Sequence, residues 1–145
     1  MEAKAILSAV EKQQGWIEDT LRDLVQQESP SEDPQAVNAA AALVERWAQE
    51  IGARSKRHKQ RQFGDVLELR FSPSRSRQQP VLLLGHLDTV WSLGTLKMMP
   101  WRNTAGRLWG PGVLDMKAGV IMALTAINTL KKMGLGSPSD AVAEQ

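Results

Sequence analysis

The 145-residue chain has no cysteine, which excludes disulfides and thiolate metal sites. Any metal must then be held by imidazole and carboxylate. Imidazole is scarce too: His58 and His86 are the only histidines, so the search for nitrogen ligands is short. A strong excess of charge is also missing, because a net charge of +2 does not by itself imply a polyanionic partner. Residues Met1 to Val10 mix Glu2 and Lys4 with short apolar pairs. They lack the basic start, apolar stretch and cleavage site of a signal peptide. The apolar run Val120 to Ala126 is broken by Thr125 and is too short to span a bilayer. A soluble, cytoplasmic protein with no membrane partner is expected. The remainder, 42% hydrophobic and 23% charged, suits one domain with a real core.

Periodicity divides the chain. Ile6, Val10, Ile17, Leu21, Leu24 and Val25 fall mostly at helical spacing, with Gly15 a candidate interruption and Ser29-Pro30-Ser31 the end. Asp33-Pro34 restarts a helix, with Asp33 as N-cap and Pro34 at the first helical position. Its stripe of Val37, Ala40, Ala41, Val44, Trp47, Ala48 and Ile51 stops at Gly52. The basic stretch Arg54 to Arg61 and the alternating Asp65 to Phe71 read as two strands around Gln62-Phe63-Gly64. The continuous run Val81 to Leu84 predicts a strand buried on both faces. Met116 to Met133 predicts a buried helix closed by Gly134. This order points to an α/β layered domain, here assigned to residues 1–136, with residues 137–145 as an irregular tail.

Chemistry concentrates between Leu84 and Gly119. Gly85-His86-Leu87-Asp88-Thr89-Val90 follows the apolar strand. In extended backbone, His86 and Asp88 project to the same side, into the crevice where open α/β sheets gather ligands. A metal-binding imidazole usually donates its other N–H to a carboxylate, which fixes the tautomer and raises its basicity. Further on, Gly110-Pro111-Gly112-Val113-Leu114 delivers Asp115 on a glycine-rich turn before the apolar helix. A carboxylate presented so rigidly can bridge two cations.

These paired motifs resemble the di-zinc family of glutamate carboxypeptidases, aminoacylases, acetylornithine deacetylases and succinyl-diaminopimelate desuccinylases. Trp91-Ser92-Leu93-Gly94-Thr95-Leu96 and Met99-Pro100-Trp101 are most similar to the glutamate carboxypeptidase branch. The resemblance, over about residues 15–136, implies the N-terminal part of a zinc-peptidase-like layered domain, its mostly parallel or mixed sheet flanked by helices. It also implies two zinc ions in the complete site, with His86 binding one, Asp115 bridging both, and Asp88 acting catalytically by orienting His86. A cis Asp115–Met116 peptide and a small peptide-like or N-acyl amino-acid substrate are implied as well. The family's Glu-Glu pair, its later acidic and histidine ligands, and its lid or dimerisation domain have no counterpart in these residues. The expectation is an N-terminal fragment of an amide-bond hydrolase, inactive alone.

Plainer readings stand beside each of these. His86 could be a core histidine satisfied by backbone, Asp115 an N-cap, and Asp88 a turn residue. A non-catalytic remnant or binding module is the alternative function. The basic stretch invites a nucleic-acid adaptor, but charged edge strands also discourage aggregation, so no nucleic-acid partner is expected and His58 is not a ligand. Trp91, Trp101 and Trp109 could line a pocket or simply pack.

Overall fold

A computed structural model of the chain describes residues 3–71, 81–135 and 141–144. Within them lie helices α1 (Ala3–Glu11), α2 (Gln14–Gln26), α3 (Pro34–Ile51) and α4 (Ala118–Lys132). The strands are β1 (Arg54–His58), β2 (Val66–Phe71), β3 (Val81–Leu84), β4 (Arg102–Thr104), β5 (Arg107–Trp109) and β6 (Ala141–Glu144). A mixed sheet runs β1-β2-β6-β3, and β4-β5 is a separate ribbon. The β1-β2 and β2-β6 pairs are antiparallel, whereas β6 and β3 are parallel. The expected α/β class with a mixed sheet and flanking helices is therefore present.

Local signals placed α3 correctly. The Asp33 carboxylate accepts from the Gln35 and Ala36 N–H groups, both at 3.0 Å, so two of the orphan donors at the helix start are satisfied. Gly52 ends the helix at φ +103°, where a side chain would be strained. The α3 stripe packs with Leu21, Leu24 and Val25 of α2, Ile121 and Leu124 of α4, and Leu67, Leu69 and Phe71 of β2 in one buried cluster. On β1, Arg57 meets Glu45 at 2.7 Å and His58 meets Glu68 at 2.8 Å. That arrangement fits a solvated edge strand.

Several expectations need correction. The first helical segment breaks at Lys12-Gln13 rather than at Gly15. There the buried Gln13 side chain donates to Thr129 Oγ1 and accepts from Asn128 Nδ2, both at 2.7 Å. The last helix begins at Ala118, because Asp115 and Met116 have non-helical dihedrals. Counted across that break, Val113–Lys132 is long and apolar enough to cross a membrane by length and composition, which the shorter run Val120–Ala126 understated. Its Ile121, Leu124, Thr125 and Thr129 are nevertheless buried within the domain. The segment expected as an irregular tail contains β6, held by backbone pairing to β2 and β3. Most plainly, β3 is not interior. It lies at the sheet edge among the described residues, and Val81 to Leu84 are 37–68% exposed. Apolar character predicted burial, but burial requires a full covering layer, and the described residues cover Leu83 and Leu84 only in part, across an apolar cavity shared with Met116, Val120, Leu124 and Ile127.

Candidate metal centre

The segment after β3 is held from outside the sheet. The Thr89 N–H donates to the Ser29 carbonyl at 2.8 Å, and the Ser31 N–H donates to the Thr89 carbonyl at 3.0 Å. The Ser29 hydroxyl, itself fully buried, donates to the Leu87 carbonyl at 2.7 Å. Leu87 points into the core at 1% exposure, so by strand alternation His86 and Asp88 face the other way together. The interior position expected for β3 is thus not what fixes this turn. The end of α2 and the residues after it do so instead.

His86 Nδ1 donates to the Asp88 carbonyl at 3.0 Å and lies 3.3 Å from Asp88 Oδ1. Asp88 Oδ2 in turn accepts from the Ser31 hydroxyl. On the far side of the ring, Nε2 lies 3.1 Å from Asp115 Oδ1. With the proton on Nδ1, two electron-pair donors face each other across that distance, an arrangement that a shared cation stabilises. Zinc bonds of about 2 Å in a tetrahedron put neighbouring donor atoms roughly 3.3 Å apart. The residues present therefore fit a divalent ion of this class.

Asp115 reaches this point on a turn with its own anchors. Gly112 has φ +74°, and a Cβ there would come within 2.6 Å of Thr89 Cγ2, so glycine lets the two ligand-bearing segments touch. The Asp115–Met116 peptide is cis, as the resemblance implied. Two residues on, Lys117 is 1% exposed, and its ammonium donates to the Leu24 and Gln27 carbonyls at 2.9 and 2.7 Å. Burial lowers its pKa to about 8, although nearby Glu28 works the other way. Burial alone would raise the Glu28 pKa. The N–H groups of Gly94, Leu96 and Thr95 outweigh that and leave it lowered.

His86, Asp88 and Asp115 are brought together as expected, while His58 sits apart on Glu68. Sequence reading missed Ser29, Ser31 and Lys117. Only Lys117 gave a signal, a lone cation at the start of an apolar helix. Glu144 pairs in register with Leu84 on the strand leading to His86. Trp91 and Trp109 are over 40% exposed, whereas Trp101 packs against the core. Among the described residues no group of three or more histidine, aspartate or glutamate side chains is placed to hold a metal. A catalytic zinc takes about three protein ligands plus a water position, so His86 and Asp115 are part of a site.

Residues 82–142 match the model of peptidase family M20/M25/M40. Over that segment the chain is similar to this peptidase family. It is 27% identical over 132 residues to carboxypeptidase G2 of Pseudomonas sp. (strain RS-16), covering 90% of this chain and 31% of that protein. Its fold is shared with human carnosine dipeptidase 1, at TM-score 0.81 and 19% identity over 97% of this chain and 33% of that one. An M20 family metallo-carboxypeptidase from Sulfolobus solfataricus gives TM-score 0.70 and 15% identity over 88% and 30%. The chain thus spans about a third of the length of these three proteins.

Proposed function

We propose that this chain supplies part of the metal centre of an M20-type hydrolase that cleaves amide bonds next to a carboxylate, with His86 and Asp115 as zinc ligands. The observation that carries the reading is the 3.1 Å approach of His86 Nε2 to Asp115 Oδ1 while His86 Nδ1 is engaged by Asp88. Two zinc ions are proposed for the complete site, with Asp115 between them. Asp88 does its work from the far side of the ring: by accepting from Nδ1 it leaves the Nε2 lone pair free toward Asp115. Zinc bound there supplies Lewis acidity toward a carbonyl oxygen and toward water. A general base is still required to take the proton from the attacking water. The described residues place no such carboxylate beside His86 and Asp115 apart from Asp88, which is committed to the ring and to Ser31. A small peptide-like or N-acyl amino-acid substrate is proposed, as relatives include a carboxypeptidase and a dipeptidase.

Zinc calorimetry on the 145-residue chain, paired with hydrolysis assays on folate-type and N-acyl amino-acid substrates, tests the reading. Weak zinc binding that His86→Ala and Asp115→Ala each remove, without turnover, is the expected result. Zinc binding indifferent to both substitutions would overturn the assignment of ligands. Tight binding with turnover would instead show that this chain holds a full site.

A further inference from the structure

The residues that follow α2 do more than hold the backbone of the His86 turn. We propose that Ser31 is a positioning residue: by fixing the Asp88 carboxylate beside Nδ1 it reinforces the Nδ1–H form of His86, which the Asp88 backbone carbonyl already accepts from. The inference rests on the metal reading only for its purpose, since the geometry concerns His86 itself.

A neutral imidazole has one N–H and one lone pair. On the Nδ1 side it finds the Asp88 carbonyl at 3.0 Å and Asp88 Oδ1 at 3.3 Å. On the Nε2 side it finds Asp115 Oδ1 at 3.1 Å. Two aspartates therefore compete for a single proton, and only the Nδ1–H form leaves Nε2 free to bind a cation. The Asp88 side chain is 39% exposed, and the terminal torsion of an aspartate is broad and roughly two-fold. Left to itself, its carboxylate would turn among water contacts and present Oδ1 to the ring only part of the time. Ser31 prevents this by donating its hydroxyl to Oδ2. The serine is itself fixed, because its backbone N–H is bonded to the Thr89 carbonyl, one residue beyond Asp88. Its oxygen also lies 3.2 Å from that carbonyl. A hydroxyl has one proton to give, and an ionised carboxylate is the stronger acceptor. Ser31 and Asp88 are 57 residues apart in sequence, so this relay joins the segment between α2 and α3 to the turn after β3.

The test reads the histidine tautomer directly on the ¹⁵N-labelled 145-residue chain at pH 8.5, where an ordinary histidine is neutral. Two histidines give two sets of ring resonances, assigned with His86→Ala, and His58 on Glu68 serves as the internal control for folding. The wild-type chain is expected to hold His86 mainly as Nδ1–H. Ser31→Ala and Ser31→Gly should each move the ratio toward Nε2–H by roughly fivefold, the scale of one net hydrogen bond. Ser31→Thr keeps the hydroxyl and should restore the wild-type ratio, while the His58 signals stay unchanged. In parallel, zinc titration should show Ser31→Ala binding about 10–100-fold more weakly with the same far-ultraviolet spectrum. An unchanged tautomer ratio in both Ser31→Ala and Ser31→Gly would overturn the proposal, as would a threonine variant that behaves like alanine. If the wild-type chain bound no zinc at all, the metal reading would fail while the tautomer ratio still decided the role of Ser31.

Discussion

β2 and β3 are both short and apolar, yet they have opposite fates. Leu67, Leu69 and Phe71 of β2 are at most 7% exposed, while every residue of the more uniformly apolar β3 is at least 37% exposed. Composition would have ranked them the other way. Burial is decided by what covers a face: α3 and its neighbours cover one face of β2, and the described residues cover the leucines of β3 only in part. The difference also shows where the candidate site draws its rigidity. His86 follows the exposed strand, but its turn is tied to Ser29 and Ser31, and Asp115 is tied through Lys117 to the end of α2.

The same substitution in the two strands should sharpen the contrast most. Leu69→Ala removes a side chain at 2% exposure and should cost about 2–5 kcal/mol of unfolding free energy. Leu83→Ala, in the exposed strand, should change stability by about 0.5 kcal/mol or less. Urea titrations of both variants provide the measurement, and equal costs would mean that β3 is covered in solution.

Lys117 tests the claim that α2 carries the Asp115 turn. Replacing it with methionine keeps most of the buried volume but leaves the Leu24 and Gln27 carbonyls without their donor. An unsatisfied buried acceptor costs about 1–3 kcal/mol, and loss of the buried charge offsets part of this. A net cost of about 2 kcal/mol is expected, near 4–8 °C in thermal midpoint for a chain of this size. An unchanged midpoint would show that the ammonium contributes nothing net.

A smaller effect separates the polar face of β2 from the site. Hydrogen bonds from Arg70 and then His58 hold the Glu68 carboxylate below the usual carboxylate range. A lowered folded pKa means stability that is present above the unfolded value of about 4.3 and lost as pH falls through the folded value. Asp65, lowered chiefly by the Lys59 hydrogen bond, contributes with the same sign. The wild-type midpoint should therefore drop more steeply than that of Glu68→Gln as pH falls below about 4.5, with the Asp65 slope left in both. Parallel curves would remove Glu68 from the account.

What could be read in advance follows the range of the interactions. Asp33, Pro34 and Gly52 act on neighbours within one helix turn, so their signals fixed α3 without knowledge of the fold. His86 and Asp88 were legible as a pair because alternation constrains side-chain direction locally, whereas the approach of Asp115 to His86 was implied by the family resemblance. Ser31 and Lys117 were not legible, because their partners lie 57 and 90–93 residues away and no local pattern marks such contacts. β6 escaped because backbone pairing with β2 and β3 places it, whereas its sequence Ala-Val-Ala-Glu has little strand character. The position of β3 escaped for the reason already given: apolar residues state a preference for burial but do not supply the cover.

The smallest expected change in stability is also the one that tests the exposed strand by itself. Leu82 is 52% exposed and central in β3, and among the described residues the strand is paired only to β6. An apolar strand with an open edge offers unpaired N–H and C=O groups together with a surface that water disfavours, which is the combination that templates association. Leu82→Lys places a charge there while its aliphatic stem keeps most of the contacts of this half-exposed side chain. Its unfolding free energy should therefore stay within about 0.5 kcal/mol of wild type, while association measured by sedimentation velocity across a concentration series should fall. The His86 turn is anchored elsewhere, so zinc affinity should remain unchanged in the same variant. A loss of zinc binding on Leu82→Lys would show that β3, and not the Ser29–Ser31 segment, positions His86, and it would reverse the comparison between the two strands.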